Sequence, residues 1–349
     1  MKKLGLFNKF IFFINCIVAV LLMLSFMLPY VSPKSFPTLS VLSLLVAPLL
    51  IINGIFIIYW LLRLRKQFLL SAILIVLAFL HFNSFYKFSD SISEVAFKNE
   101  LSILSYNVHL FNAYSGGNLK KSELLFNEII NNYAPDIICL QEFNDAHAPK
   151  MNGYPYVYEH FKSSARKNGS LTKKALGHAI YSKYPLINKG AFDFNRTTNN
   201  TLYVDLVKGK DTIRLYNLHL KSIGILPSMS ALQEGDKEKL IARISNAFKV
   251  QTNQVDAILN HKNESPYPVI IAGDFNNTAF SYIYNQLTKG MHDAYSECGG
   301  GLGTTFNFDG YPLRIDYILA QTNFEVLSFK TIENKFSDHL PILATLGWD

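Results

Sequence analysis

The 349-residue sequence predicts an α/β domain of about 250 residues carried behind three membrane-spanning helices. Three observations lead there. Long apolar runs crowd the N-terminal part, where Asp90 is the first acidic residue. From Leu101 the texture changes to short β-branched and aromatic runs separated by Asn, Gly and Pro clusters, with two helical patterns between them. Finally, polar residues capable of chemistry fall at the ends of those short runs.

The first element is Phe10–Leu28, about 19 apolar residues, and the second is Leu39–Leu62, about 24; each is long enough to cross a hydrocarbon core near 30 Å thick. No small-residue cleavage pattern follows the first run in Pro29-Tyr30-Val31-Ser32-Pro33, so it is expected to stay as an anchor rather than be removed as a signal peptide. Pro48 interrupts the second run and is expected to kink it. The third run, Phe68–Phe82, is only about 15 residues, under the usual spanning range. Phe85 and Tyr86 extend it with aromatics suited to an interface, giving an expected segment of 68–86.

Charge sets the expected orientation. Lys2, Lys3 and Lys9 precede the first run and Arg63, Arg65 and Lys66 lie between the second and third, whereas the intervening loop has only Lys34. The positive-inside rule then places the N-terminus in the cytoplasm and everything after about residue 90 outside it, as a multi-pass protein of the cell membrane. Should the third run be re-entrant, the folded domain is cytoplasmic instead. These bases account for nearly all of the net charge of +7, which leaves residues 99–349 near neutral. The basic pI is therefore no sign of nucleic-acid binding by the folded domain, which would need the bases clustered there.

In the folded domain, strands are expected at Leu101–Val108, Asp136–Gln141, His178–Tyr184, Thr201–Val207, Thr212–Leu220, Pro268–Phe275, Arg314–Ala320 and Leu340–Leu346, and helices at Leu119–Asn132 and Gly235–Asn260. Asn107, Glu142, His219, Asp274 and Asn276 sit at or just past the ends of apolar strands, and Ser337-Asp338-His339 opens another. Rigid strand ends can hold side chains in one cleft, while the same groups in mid-strand would be buried at a cost. Cys16, Cys139 and Cys298 show no metal-ligand spacing and read as structural.

The runs Ser105-Tyr106-Asn107-Val108, Leu140-Gln141-Glu142, Asn217-Leu218-His219-Leu220, Gly273-Asp274-Phe275-Asn276, Arg314-Ile315-Asp316-Tyr317-Ile318 and Ser337-Asp338-His339-Leu340-Pro341 occur in that order. Together with Gly177–Pro185 this set resembles the motifs of the endonuclease/exonuclease/phosphatase superfamily. The resemblance covers nearly all of the folded domain and none of the membrane part. It implies a four-layer α/β/β/α sandwich and hydrolysis of a phosphate ester by metal-activated water.

Chemistry read from the residues agrees. Such hydrolysis needs charge stabilisation on the phosphate oxygens, an in-line water and help for the leaving oxygen. Glu142 is the expected principal ligand of Mg²⁺, with Mn²⁺ as a substitute, because these ions prefer a few hard oxygen ligands; the resemblance implies that Asn107 supports it, and Asp338 can share the metal. Asp274 and Asn276 alternate in one tight turn, one to orient the water and the other to hydrogen-bond the phosphate. His339 touches the phosphate or relays a proton, while the resemblance implies that His219 is a second imidazole and that Asp316 orients a catalytic group. Singly these residues have blander readings: an exposed glutamate, a Gly-Asp-Asn turn, a structural Asp-His pair. The expected partners are a lipid bilayer and a phosphate-ester substrate, either nucleic acid, a nucleotide or a phospholipid head group. A sphingomyelinase-type phospholipase C, a phosphomonoesterase and a catalytically dead binding module are the alternatives. The remaining histidines, His109 and His178 among them, read as surface or core residues, and the Asn-x-Ser/Thr sequons at Asn168, Asn195, Asn199 and Asn276 as chance matches. The basic stretch Lys162–Lys174 reads as a solvated loop.

Overall fold

In the strand Asn99–Asn107, Leu101 and Ile103 point to one side and Leu104 and Tyr106 to the other, and all four are buried. A strand buried on both faces belongs in the middle of layers. A computed structural model describes residues 4–82, 86–87, 96–115, 118–161, 166–167, 170–171, 176–195, 197–224, 236–333 and 336–349. In it this strand lies inside a six-stranded sheet of order Glu325–Thr331, Ile342–Trp348, Asn99–Asn107, Ile137–Phe143, Gly177–Ser182, Tyr156–Phe161. A second six-stranded sheet runs Met291–Asp293, Asp316–Gln321, Val269–Asp274, Asp211–His219, Asn200–Lys208, Leu186–Asp193.

The inner faces of the two sheets share one apolar core, with Ile103, Cys139 and Ile180 from the first against Val204, Leu215, Ile270 and Ile318 from the second. The outer face of the first sheet, with Leu104, Ile138 and Leu140, is covered by Phe126 and Ile129 of the helix Leu119–Tyr133. The outer face of the second, with Tyr216, Leu218 and Ile271, is covered by Val255 and Ile258 of the helix Lys237–Asn263 and Ile283 and Leu287 of Tyr282–Leu287. The layers are thus helix, sheet, sheet, helix. Asn118 caps the first helix by accepting from the Lys121 amide, and Asp236 caps the second by accepting from those of Glu238 and Lys239. Cys139 and Cys298 lie in the same core as free thiols.

Two N-terminal helices, Leu6–Tyr30 and Pro37–Leu62, are long and apolar enough to cross a membrane. The expected third span is shortened: its helix is Phe68–His81, 14 residues, or about 21 Å at 1.5 Å per residue. It ends before Phe82 and does not continue to Tyr86; Phe85 lies outside the described residues. Pro48 does not break its helix by removing an internal hydrogen bond, because a 3₁₀ stretch at Val41–Leu45 precedes it and Pro48 falls in the first turn of Val46–Leu62, where its missing N–H is not needed.

A buried polar chain, not foreseen from the sequence, ties the three helices together. Asn15 Nδ2 donates to Ser71 Oγ (2.7 Å), Ser71 Oγ to Asn53 Oδ1 (2.8 Å), and Trp60 Nε1 to Asn15 Oδ1 (3.0 Å). Such bonds between apolar helices contribute about 0.6–2 kcal/mol each, and every one of these residues is buried. The ends of the helices also touch the folded domain. Asn285 Nδ2 donates to the Pro29 carbonyl (2.8 Å), Thr278 Oγ1 to the Ser43 carbonyl (3.2 Å), and Lys34 pairs with Asp256 (2.6 Å). Phe280 of the folded domain joins the helices' own apolar core beside Phe82, with ring centroids 5.0 Å apart.

Candidate active site

Neighbouring strand ends converge at one edge of the two sheets. Asp274 stands in register with His219 on one side and Asp316 on the other, so three chemical side chains come from adjacent strands of the second sheet. Asn107 and Glu142 come from the first sheet. Gly273 makes this register possible: its φ is +136°, and a Cβ there would overlap the Leu218 carbonyl. On the first sheet, the pairing of Ile137–Phe143 with Gly177–Ser182 shifts between Leu140 and Phe143. That bulge falls at Glu142, whose φ is +51°. Bulges re-aim side chains next to active sites, and left-handed non-glycine residues concentrate where function outweighs their strain.

Asp274 is the hub. Its Oδ1 accepts from the Asn276 backbone amide (2.7 Å), and its Oδ2 from Asn107 Nδ2 (3.1 Å) and Asn276 Nδ2 (3.0 Å). Two imidazoles close on the same oxygen, His219 Nε2 at 3.6 Å and His339 Nε2 at 3.7 Å. The other His339 nitrogen, Nδ1, lies 2.9 Å from Asp316 Oδ2, and Thr305 Oγ1 accepts from the backbone amides of Ile315 and Asp316. Glu142 Oε1 lies 3.7 Å from His219 Nε2, within hydrogen-bonding reach of the Asn107 amide. Asp338 sits at the rim, 3.5 Å from His109 Nδ1, and Ser337 Oγ donates to the Asn107 carbonyl (2.8 Å). Asn107, His219, Asn276, Asp316 and His339 therefore gather around Asp274, with Glu142 beside His219 and Asp338 at the rim. The second amide hydrogen of Asn276 goes to the Leu220 carbonyl (3.1 Å), so Asn276 clamps Asp274 from backbone and side chain at once.

Burial raises the Asp274 carboxyl, with nearby Asp316 adding to the rise and His339 opposing it. Burial likewise raises Glu142. Burial alone would lower His339, but the Asp316 and Asp274 carboxylates outweigh it and hold the imidazole well above its ordinary value. His219 is pushed down to about 3, first by burial and then by the charge on His339, so it stays neutral and its Nε2 accepts from Asn199 Nδ2 at 2.8 Å.

The donors fit a hard divalent cation. Asp274 and Asp316 lie within reach of one ion, Glu142 stands beside His219, and Asp316 Oδ1 is buried without a hydrogen-bond partner among the described residues. Oxygen ligands of this kind suit Mg²⁺ or Mn²⁺. Among the described residues, the acidic and imidazole groups close enough to share one ion are Asp274, Asp316 and His339. They lie beside the Asn107, Glu142 and Asp338 set inferred from sequence.

Several contributors escaped the sequence reading. Asn199 is buried and holds His219, so its sequon is unavailable in the fold. Gln141 and Asn217 bridge the sheets beneath the site: Gln141 Nε2 donates to Asn217 Oδ1 (2.6 Å), and Asn217 Nδ2 to the Leu140 and Ala179 carbonyls. Both stand in quoted motifs, which is the one signal that pointed to them. His109, read as an ordinary histidine, faces Asp338. His178 is a core residue, packed against the His219 ring at 5.4 Å and held neutral by burial. The stretch 162–174 lies mostly outside the described residues.

Comparison with known proteins places this arrangement. Residues 104–339 match the model of the Endonuclease/Exonuclease/phosphatase family, and residues 8–85 match a domain of unknown function, DUF8431. A CCR4-Not complex 3'-5'-exoribonuclease subunit Ccr4 from Yarrowia lipolytica is 27% identical over 259 residues, covering 62% of this chain and 36% of the relative. The Ccr4 subunit from Debaryomyces hansenii is 24% identical over 243 residues, covering 60% and 28%. The chain thus spans about a third of the length of the curated relatives it matches. Among solved structures, an endonuclease/exonuclease/phosphatase family protein from Bacteroides thetaiotaomicron superposes with a TM-score of 0.55 at 18% identity, covering 72% of this chain and 98% of that one. The human Nocturnin catalytic domain gives 0.53 at 17%, covering 72% and 95%, and D. rerio TDP2 complexed with single strand DNA product 0.53 at 19%, covering 72% and 100%. These likenesses carry the fold. With the family match over most of the chain and the carboxylate–imidazole edge it encloses, the protein belongs to the endonuclease/exonuclease/phosphatase family.

Proposed function

We propose that this chain is a membrane-anchored, Mg²⁺-dependent phosphodiesterase of the nuclease type. The observation that carries the reading is the Asp274 hub, where a buried carboxylate held by three N–H donors faces two imidazoles. Glu142, with Asn107 and Asp338, would hold the Mg²⁺. When bound, that ion supplies charge neutralisation at the phosphate oxygens and an activated water. Asp274, fixed by Asn107 and Asn276, orients the attacking water and takes its proton. His339, kept charged by Asp316, donates a hydrogen bond to a phosphate oxygen as negative charge develops there. His219, neutral and anchored by Asn199, stands 3.6 Å from the same Asp274 oxygen that His339 approaches. A hydrolysis screen of the full-length protein against single-stranded DNA, duplex DNA, RNA, nucleotides and phospholipids tests this. The expected result is phosphodiester cleavage abolished by chelation and restored by Mg²⁺; cleavage that persists without divalent ions overturns it.

A second reading, a sphingomyelinase-type phospholipase C, is favoured by one observation. The loop that follows Asn276 docks on the membrane helices through Thr278 and Phe280, which brings the site close to lipid head groups. Release of a phosphorylated head group in the same screen selects this reading.

The proposed anchor crosses the membrane three times and leaves the catalytic domain outside the cytoplasm. In support, Pro29 at the end of the first helix, Lys34 of the loop after it and Ser43 in the early turns of the second touch the catalytic domain, and so does Phe82, just past the third helix. Phe26 and Tyr30 at the end of the first helix pack on His81 at the end of the third. These ends therefore gather at one end of the bundle, opposite Arg63 and Arg65. A short helix spans through local thinning of the bilayer. A reporter active only outside the cytoplasm, fused after Asp349, is expected to be active; activity from a cytoplasm-only reporter instead means that the third helix does not cross.

A further inference from the structure

A glutamine that faces inward from the middle of a helix is costly to bury unless its amide finds partners. Gln251, on the helix Lys237–Asn263, is completely buried, and both ends of its amide are in use. Nε2 donates to the Lys221 carbonyl (2.8 Å) and the Asn276 carbonyl (3.2 Å), and Oε1 accepts from Asn277 Nδ2 (2.8 Å). One turn further along the helix, Gln254 Oε1 accepts from the Lys221 amide (2.8 Å). Lys221 lies two residues past His219, and Asn276 two residues past Asp274. The helix therefore ties together the chain just beyond two neighbouring strand ends, those that carry the second imidazole and the hub carboxylate.

Gln251 grips the turn where it is strained. Asn276 has a φ of +50°, a left-handed conformation that a non-glycine residue keeps only where its surroundings over-determine it. The Asn276 carbonyl follows that residue's Cα, so a hydrogen bond to it fixes ψ. On the next peptide, the Asn277 carbonyl accepts from Tyr317 Oη (3.0 Å). With ψ fixed, the backbone and side-chain amides of Asn276 both stay on Asp274 (2.7 and 3.0 Å).

We propose that Gln251 is a positioning residue for the reaction. Without touching substrate, it holds the Asp274–Asn276 turn and the chain beyond His219 at one spacing, so that carboxylate and imidazole reach the scissile phosphate together. Its place calls for a group that donates to two carbonyls and accepts from an amide at once, which a carboxylate or an apolar side chain cannot do. The inference rests on the reading of Asp274 as the group that orients the attacking water, and not on the membrane reading.

Steady-state kinetics and thermal unfolding of full-length variants test it. Gln251→Leu keeps the volume and removes these hydrogen bonds. Its kcat is expected to fall about tenfold, within what a displacement of about 1 Å causes, with KM and the Mn²⁺-dependent rise in melting temperature unchanged. In an Asp274→Asn background, where no carboxylate is left to position, the same substitution should cost little turnover. Gln251→Asn, still polar but one methylene short of its partners, should lose kcat severalfold and carries the test if Gln251→Leu does not fold. Tyr216→Phe removes the hydrogen bond to His261 Nδ1 (2.7 Å) near the far end of the same helix; it should lower the melting temperature and leave kcat as in wild type. Wild-type kcat in the Gln251 variants, or the same fractional loss with and without the Asp274 carboxylate, overturns the inference alone. Near-normal turnover in Asp274→Asn itself overturns the reading of the turn, and the inference with it.

Discussion

Asp274→Asn is expected to lower kcat by about three orders of magnitude while KM changes little, corresponding to about 4 kcal/mol of lost transition-state stabilisation. The carboxylate accepts from Asn107 Nδ2 and from both the backbone and side-chain amides of Asn276. A carboxamide of the same shape keeps the volume, but its NH₂ must then face donors in place of acceptors. It also cannot take a proton from water. The lost interaction is one made with the reacting centre, so the loss falls on turnover and not on binding. His339→Ala alone should be severely impaired too, since it removes the imidazole that lies 3.7 Å from Asp274 and is oriented by Asp316. Groups that act as one unit are strongly non-additive, so the double variant should be little worse than the poorer single one. Steady-state kinetics on the full-length protein decides this. Near-normal turnover in Asp274→Asn, or a double variant that shows the full product of two large effects, would mean that the Gly273–Asn276 turn is structural.

Glu142→Gln is expected to abolish metal-stimulated activity and to weaken Mg²⁺ or Mn²⁺ binding at least a hundredfold, because a neutral amide is a far poorer ligand for a hard cation than a carboxylate. The glutamate is aimed by the bulge between Leu140 and Phe143 and held at a left-handed φ, so the geometry is set by the backbone and survives the substitution. A readout separate from turnover is available. A ligand that binds only the folded state raises the melting temperature with its concentration, and that rise should be seen in wild type and be lost in Glu142→Gln. Removing the half-buried carboxylate also removes a negative charge beside His219 and Asp274, so the metal-free variant should be no less stable than metal-free wild type. An undiminished thermal response to Mn²⁺ in Glu142→Gln would move the metal to the neighbouring Asp274, Asp316 and His339 set.

The sequence alone determined the strands and helices whose side chains are buried by a regular period. The interior strands Asn99–Asn107, Ile137–Phe143, Asn200–Lys208, Asp211–His219 and Val269–Asp274 lie within a few residues of their expected bounds, as do both long helices. It also singled out Asn107, Glu142, His219, Asp274, Asp316 and His339 as strand-end residues, and the fold brings them to one edge of the two sheets because a strand end carries its position into space rigidly. Peripheral elements were not legible: Tyr156–Phe161 and Leu186–Asp193 lie at sheet edges, where one face is solvated and the apolar alternation fades. Only the tertiary structure decided which residues hold the site in place. Asn199 reaches His219, Gln141 reaches Asn217 across the two sheets, and Phe280 enters the core of the N-terminal apolar helices, each through contacts between residues far apart in sequence. Local pattern records what a residue's immediate neighbours require, whereas a buried amide or an inserted phenyl ring is satisfied by a partner that only folding brings near. For the same reason the third apolar helix could be seen but not measured from composition: its end at His81, and its attachment through Ser71 to Asn15 and Asn53, are set by the helices and the domain packed against it.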